Sequence, residues 1–290
     1  MAFSVHRQPS DRTDHTITQQ WSSYHAEEHA LWRALFERQA KLLPDRACDE
    51  FLRGMHRLGV VADGIPDFRR LNEVLDKATG WQIVAVPGLV PDAIFFEHLA
   101  NRRFPSTCFL RTPQQMDYIQ EPDVFHDIFG HVPLLVHPVF ADYMQAYGKG
   151  GLKALELGAL KNLARLYWYT VEFGLIHTEA GQRIYGSGIL SSPGETVFAL
   201  GDPAPNRLGF DVMRIMRTEY CIDDFQETYF VIDSFEQLFE ATAPDFSLYY
   251  KVLADERDIA PGHVIATDKI FTLGAGRRGD PISRQPFAGV

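Results

Sequence analysis

The sequence predicts a mainly α-helical domain of the α+β class with a minor β-sheet, and three observations support this. Apolar residues recur at helical spacing through most of the chain, strand-like runs are few and short, and no linker or repeat divides the 290 residues. A hydrophobic content of 46% is enough for a sizeable core. We expect one irregular helical domain over 21–265, after a disordered segment, 1–20, and before a flexible tail, 266–290.

Helices are predicted from apolar stripes and from the residues that begin or end them. Stripes over 48–58 and 68–78 are each followed by a glycine, which often ends a helix. Pro91 and Asp92 open a helix that carries Phe95, because proline suits the first turn. The longest candidate is LGALKNLARLYWYTVEFGL, residues 157–175.

Two helix starts and a small set of strands complete the prediction. SPGE (192–195) and SFEQ (234–237) fit the capping-box pattern, in which serine caps the helix and an acid or amide returns a hydrogen bond. The strand candidates are WQIVAV (81–86), TCFL (107–110), LIHT (175–178), RIYG (183–186) and TYFVI (228–232), with LIHT and RIYG forming a hairpin.

The charge balance and the cysteines restrict partners and location. The net charge is −10 and basic residues are scattered, which argues against nucleic acid or an anionic membrane, although a local basic pocket for a small anion is compatible with it. Three widely spaced cysteines suggest no disulfide framework. The N-terminus lacks a signal-peptide core, and the most apolar stretch (81–96) is interrupted by Pro87 and Pro91. We expect a cytoplasmic protein.

His126 and His131 are the first candidates for chemistry, yet they lie five residues apart. On a regular helix five residues turn about 500°, which leaves the side chains roughly 140° apart. The two rings can share an ion only if the helix widens or ends between them, and Gly130 and Pro133 can provide that break. From this spacing alone, two ordinary histidines near a helix end explain the pattern better than a metal site does.

Glu172 lies in RLYWYTVEFGLI, a segment that is apolar nearly all round and should be buried. A buried carboxylate needs a partner, either Arg165 about two turns earlier or a metal. With the two histidines, Glu172 makes a set that suits ferrous iron with open positions, or zinc for hydrolysis. The types of ligand alone do not show whether iron or zinc is bound.

Several segments of the chain resemble the pterin-dependent aromatic amino acid hydroxylases. They are EPDVFHDIFGHVPLL (121–135), ARLYWYTVEFGL (164–175), YGSGILSSPGE (185–195), VPGLVPDAIFFEHLANRRFP (86–105) and DFQETYFVIDSFEQLF (224–239). The resemblance covers roughly residues 20–255 and is strongest to the short bacterial members that act on phenylalanine. It implies a non-haem iron(II) monooxygenase, with the iron in a central cleft, that converts L-phenylalanine to L-tyrosine using tetrahydropterin and dioxygen.

The resemblance also implies roles for single residues. His126, His131 and Glu172 match the iron ligands and Arg111 the residue that holds the substrate carboxylate, for which a guanidinium is suited. Asp123 is a candidate acceptor supporting the first histidine. The other implied substrate-binding residues are Trp168, Phe173, Ser191, Ser192 and Glu195. The implied pterin-binding residues are Phe95, Gly88, Leu89, Val90, Asp127 and Tyr167.

The chain departs from many animal members of that family near the site. It has Asp127 where they have glutamate, and Ile119 and Gln120 where they have Thr-Pro. It also lacks room for their regulatory domain and tetramerisation helix, so a monomer is expected. The alternatives are the same fold acting on tryptophan or tyrosine, a zinc hydrolase with the same ligands, and a binding module with structural histidines.

Overall fold

The computed structural model describes residues 5–276 as helices packed around a common core beside two small sheets. The α-helices are α1 Ala26–Ala40, α2 Asp49–Leu58, α3 Phe68–Thr79, α4 Asp92–Ala100, α5 Pro138–Glu156, α6 Leu160–Tyr167, α7 Ser187–Leu190, α8 Pro193–Gly201, α9 Val212–Arg217, α10 Phe235–Thr242 and α11 Ser247–Asp255. The strands are β1 Gln82–Val86, β2 Arg103–Thr107, β3 Leu175–Thr178, β4 Gly181–Ile184, β5 Asn206–Gly209, β6 Thr228–Ile232 and β7 Ile270–Thr272. The predicted class, mainly α with a minor sheet, is confirmed.

The two sheets have different topologies. Strands β1 and β2 form a parallel pair in register from Gln82–Arg103 to Val86–Thr107, connected through α4. The other sheet has five strands in the order β4-β3-β6-β5-β7. Its β3–β4 and β5–β7 pairs are antiparallel, whereas β6 runs parallel to both β3 and β5.

Most of the predicted helix ends are confirmed. Helices α2 and α3 end at Gly59 and Gly80, which have φ of 66° and 73° and so take up the left-handed conformation that favours glycine. The predicted helix over 157–175 is wrong in its extent. Helix α6 begins only at Leu160 and stops at Tyr167, a π-helix follows over Trp168–Glu172, and Leu175 is already the first residue of β3.

Both serine caps are present, but the return bonds of the predicted capping boxes are not. Ser192 Oγ accepts from Glu195 N at 3.4 Å and Ser234 Oγ from Gln237 N at 3.1 Å. The Gln237 side chain accepts instead from the backbone N–H of Asp233, one residue before its cap. The Glu195 carboxylate points to another element, described below.

Among the strands, the hairpin and the strand over 228–232 are confirmed, and TCFL is wrong. The second strand of the parallel pair is β2, which ends at Thr107 where TCFL begins. The hairpin partner of β3 is Gly181–Ile184 rather than RIYG, a shift of two residues toward the turn. Both differences between the predicted and the observed strand have the same cause. The length over which a strand pairs with its neighbour determines where it begins and ends, more than its own run of apolar residues does.

Helix α5 is the longest helix in the described chain, but the sequence did not predict it. The glycines within it explain why. A Cβ on Gly148 would lie 2.4 Å from the backbone N of Ala100, and one on Gly151 would lie 2.0 Å from the Phe96 ring. The absence of a side chain at these two glycines lets α4 pack directly on α5. Glycine disfavours a helix in the sequence, yet the packing of α5 requires it here.

The segments on either side of the predicted domain contact it where they are described. Ile17 N donates to Ala85 O at 2.8 Å, His6 stacks on Tyr24, and β7 extends the five-stranded sheet. The described parts of 1–20 and 266–290 therefore contact the domain. Residues 277–290 of the predicted flexible tail lie outside the described residues, and the boundaries at 21 and 265 stay predictions. Over residues 5–276 the helices are too short or too polar to cross a membrane.

Candidate active site

The two histidines lie on a widened turn. Residues His126–His131 form a π-helix, in which the hydrogen bond runs to the fifth residue, so side chains five apart lie on one side. His126 Nε2 and His131 Nε2 are 3.1 Å apart. The expected widening is confirmed, whereas Pro133 lies after the pair, in a 3₁₀ helix over Val132–Val136.

Gly130 has a different purpose from the predicted helix break. A Cβ at this position would lie 2.9 Å from the backbone oxygen of Ser187 and 3.1 Å from its Cβ. The π-helix and α7 can approach this closely only because position 130 has no side chain. Gly130 therefore brings Ser187 against the histidines.

Glu172 completes the cluster, and it also lies in a π-helix. Its Oε1 is 3.1 Å from His131 Nε2 and its Oε2 is 3.6 Å from His126 Nε2. One ligand atom from each of the three residues lies within 4.8 Å of the others. Arg165, the alternative partner, instead binds Asp258 at 2.6 Å.

Ser191 fixes the tautomer of His126. The Ser191 hydroxyl donates its one proton to Ser187 O at 2.8 Å, so its oxygen must accept from His126 Nδ1–H, 2.9 Å away. The lone pair of His126 is then on Nε2, which faces His131 and Glu172. Burial lowers the pKa of His126 to about 4, so the ring is neutral near neutral pH.

Ser187 is a contact that sequence reasoning missed. Its hydroxyl lies 2.8 Å from Glu172 Oε2 and 3.1 Å from His131 Nε2. Burial alone would raise the pKa of Glu172, but the neighbouring imidazoles and the hydrogen bonds from His131 and Ser187 bring it to about 2. The one signal for Ser187 was its place among small residues in the segment YGSGILSS.

The cluster fits a divalent metal. A neutral imidazole with its lone pair directed inward, a second imidazole and an ionised carboxylate are the donors that such an ion requires. The hydrogen bond to the outer nitrogen of His126 is the support that metal-bound histidines usually have. Two imidazoles and one carboxylate leave coordination positions free, as in iron(II) oxygenases.

Arg111 and Asp123 form a buried pair beside the cluster. Arg111 Nε and Nη2 each donate to one carboxylate oxygen of Asp123 at 2.9 Å, which holds the guanidinium rigidly. Asp123 also accepts from the backbone N–H of His126 at 3.1 Å. Asp123 therefore supports the backbone of His126, while Ser191 supports its ring. Arg111 Nη1 has no partner within residues 5–276.

Asp127, next to the first histidine, is buried and faces β2. Its Oδ2 accepts from Thr107 N at 2.7 Å and from Thr107 Oγ1 at 2.9 Å. Burial raises the pKa of Asp127 to about 7. Asp127 stands where many animal members of the family have a glutamate, and two hydrogen bonds connect this shorter side chain to Thr107 at the end of β2.

Aromatic rings lie around the cluster. Tyr167 lies between His131 and Phe95, with ring centroids 6.3 Å and 5.9 Å away. Phe95 is half-buried, whereas its neighbour Phe96 is buried in the core. Trp168 stacks on Tyr220 at 4.3 Å and lies 4.9 Å from Phe173.

The remaining predicted residues lie at the edges of this region. Gly88 and Val90 are half-buried while the Leu89 side chain is 76% exposed, and a Cβ on Gly88 would lie 2.8 Å from Glu121 Oε1. Glu195 Oε1 accepts from Tyr229 Oη at 2.7 Å and from Gln226 N at 3.2 Å. Glu195 is therefore connected to the five-stranded sheet. Sequence reasoning missed its two partners, although both lie in the segment DFQETYFVIDSFEQLF.

The chain matches one known family over most of its length. The family described as "Biopterin-dependent aromatic amino acid hydroxylase" matches residues 13–250. The chain belongs to this family. As a biopterin-dependent hydroxylase it is an oxidoreductase, so the zinc hydrolase and the binding module considered from the sequence are set aside.

Bacterial relatives are similar along nearly their whole lengths. A phenylalanine-4-hydroxylase of Chromobacterium violaceum is 64% identical over 264 residues, which cover 91% of this chain and 89% of the relative. A phenylalanine-4-hydroxylase of Caulobacter vibrioides is 59% identical over 266 residues, which cover 92% and 90%.

Solved structures share the fold. The C. violaceum phenylalanine hydroxylase with bound oxidised Fe(III) superposes with a TM-score of 0.88 at 65% identity, covering 90% of this chain and 94% of that one. The iron- and phenylalanine-bound structure from the same organism gives 0.87 at 62% identity, covering 90% and 96%. The fold expected from the resemblance is confirmed.

Proposed function

We propose that this biopterin-dependent hydroxylase converts L-phenylalanine to L-tyrosine with a tetrahydropterin and dioxygen, at one iron(II) held by His126, His131 and Glu172. The similar proteins named above are phenylalanine-4-hydroxylases, and one of their structures holds iron and phenylalanine. The observation that carries the proposal is the convergence of the three ligand atoms within 4.8 Å.

The metal ligands are prepared for binding before any ion arrives. His126 is neutral and its tautomer is fixed by Ser191, so little reorganisation is needed at that ligand. Bound there, iron(II) would provide the site at which dioxygen is activated, and the tetrahydropterin would supply the electrons that reduce the oxygen atom not transferred to the aromatic ring. The residues around it bind and orient the reactants and keep bulk water away.

Arg111 is proposed to hold the substrate carboxylate. Asp123 occupies Nε and Nη2, which leaves Nη1 to donate a charge-assisted hydrogen bond to the amino acid. The same carboxylate holds the His126 backbone, so the substrate anchor and a metal ligand share one support. This coupling fixes the distance between the anchored substrate and the iron.

Aromatic and polar residues are proposed to position the two rings. Trp168 and Phe173 lie on the substrate side, with Ser191, Ser192 and Glu195 at the start of α8. Phe95 and Tyr167 are proposed to contact the pterin by offset stacking, together with the edge formed by Gly88, Leu89, Val90 and Asp127.

The proposal is tested by alanine variants of the triad. Each of His126→Ala, His131→Ala and Glu172→Ala should bind no stoichiometric iron after anaerobic loading, and tyrosine formation should fall below detection. His56→Ala, an exposed histidine on α2, is the matched control and should retain both. Circular dichroism reports folding, and full activity in a folded triad variant would reject the assignment.

The finer parts of the proposal have their own measurements. Turnover with phenylalanine, tryptophan and tyrosine compared side by side decides the substrate, and we expect phenylalanine to have the highest kcat/KM. A cytoplasmic location and a monomeric state remain predictions from the sequence, and light scattering of the purified protein measures the second.

A further inference from the structure

A groove lined by arginines lies outside the site described above. It has a volume of about 560 Å³, within the range of small-molecule sites. Arg46, Arg183 and Arg207 line it together with Gln182 and Thr272, and the walls also include Asp45. We call it the arginine groove.

The backbone brings these side chains together. Arg46 O accepts from Ile184 N at 2.7 Å, which ties the loop before α2 to β4 beside Arg183. On the other wall, Arg207 of β5 is the register partner of Thr272 of β7. The groove is therefore formed by paired strands and a loop bonded to one of them.

Arg207 is the most informative of the three arginines because it is only 5% exposed. Its Nε donates to Ala199 O at 2.7 Å and its Nη2 to Asp202 O at 2.8 Å, so it holds the carboxyl end of α8. The Nη1 group has no partner within residues 5–276. A buried guanidinium normally has a carboxylate partner, because removing a charge from water is costly.

None of the three arginines has such a partner in the part of the chain that the structure describes. No carboxylate oxygen there lies within 4.0 Å of their nitrogens, although most buried arginines of the protein, such as Arg111 and Arg214, do have one. Arg46 and Arg183 donate only to backbone carbonyls. Asp45, which is exposed, and Asp202, whose carboxylate charge acts on Arg207, each offset one charge, which leaves the groove positive in a chain that is negative overall.

We propose that the arginine groove binds a small anion that carries a phosphoryl group. Planar guanidinium groups with free N–H donors match phosphate oxygens well, and the net positive charge of the groove favours an anion. The Gln182 amide on the β4 wall and the Thr272 hydroxyl on the β7 wall add neutral donors. The anion supplies the partner that Arg207 lacks.

The groove is connected to the active site through α8. Arg207 holds the carboxyl end of this helix at Ala199 and Asp202, and Ser192 and Glu195 lie at its other end. Binding to the groove does not require the metal or the substrate, so it is measured separately from hydroxylation.

The test is calorimetric titration of the iron-loaded protein with inorganic phosphate under anaerobic conditions, with ionic strength held constant by chloride. We expect saturable binding that is at least tenfold weaker in the double variant Arg46→Gln/Arg183→Gln, whose tyrosine formation stays unchanged. These two arginines are used because Arg207 also supports α8 and its loss could unfold the helix.

The matched control is Arg57→Gln/Arg70→Gln, which removes the same charge from exposed positions on α2 and α3. It should bind phosphate as the parent does. Absence of saturable binding, or an equal loss in both double variants, overturns the proposal. Malonate tests the ligand class, and binding as tight as that of phosphate would overturn the assignment to a phosphoryl group.

Discussion

At the scale of single residues, one hydroxyl proton decides which nitrogen of His126 faces the metal position. Ser191 Oγ has one hydrogen, which Ser187 O receives, so the serine can only accept from the imidazole. Its neighbour Ser192 has the same chemistry but caps α8. One of these adjacent serines thus supports a proposed metal ligand and the other caps a helix, and substituting each in turn separates the two roles.

Ser191→Ala should weaken iron binding and lower tyrosine formation by about 10–100-fold, because the ring of His126 loses its fixed tautomer and orientation. Chelator competition measures the iron affinity. Ser192→Ala should instead lower the free energy of unfolding by about 1 kcal/mol and leave iron affinity unchanged. Equal effects of the two substitutions on iron would contradict the assignment.

At the scale of elements, both segments that carry the proposed metal ligands are π-helices rather than α-helices. His126–His131 and Trp168–Glu172 each widen where a ligand must turn inward, and α7 lies against the first of them. Gly130 permits that contact. The local sequence therefore controls the distance between the histidines and Ser187.

Gly130→Ala should displace α7, because the new Cβ would lie 2.9 Å from Ser187 O. We expect a loss of about 1–3 kcal/mol in stability from overpacking and a weaker iron site. Gly150→Ala on α5 is the control, since nothing lies within 4 Å of its Cβ and alanine favours a helix by up to about 1 kcal/mol. Urea unfolding and iron titration measure the two effects. Unchanged iron affinity in Gly130→Ala would refute this explanation.

At the scale of the whole molecule, His98 connects the N-terminal segment to the domain. His98 is 1% exposed, and its Nε2–H donates to Asp14 O at 2.8 Å. Burial lowers the pKa of His98, although the hydrogen bond to Asp14 opposes the shift. The unfolded chain therefore takes up a proton at this position at higher pH than the folded protein does.

This difference predicts a loss of stability in acid. As pH falls below the ordinary histidine pKa of 6.5, the unfolded state is stabilised first, and the loss continues down to the lower pKa of folded His98. His98→Gln keeps a donor but does not titrate, so its urea midpoint should change less between about pH 7 and about pH 5. His56→Gln should retain the parent's dependence, and the same dependence in His98→Gln would reject this role.

The fold was predictable where its signals are local. Gly59 and Gly80 end their helices as expected, and Ser192 and Ser234 cap theirs. The change from helix to π-helix to strand over 157–175 leaves no mark in apolar spacing, and the glycines of α5 hide a helix whose packing requires them. In the site, the triad needed the resemblance because five-residue spacing is ambiguous. Ser187 and the bond of Asp127 to Thr107 depend on contacts between distant elements, which no local pattern encodes.

The wide turn at His126–His131 can be described as an α-helical turn that contains one additional residue. A π-helix is an α-helix into which one extra residue has been accommodated, so a pair that would share a face at a separation of four shares it at five. Here the turn contains a glycine whose missing side chain admits Ser187. Insertion of a single residue can thus widen a metal site and open a place for a supporting hydroxyl without changing the ligands themselves.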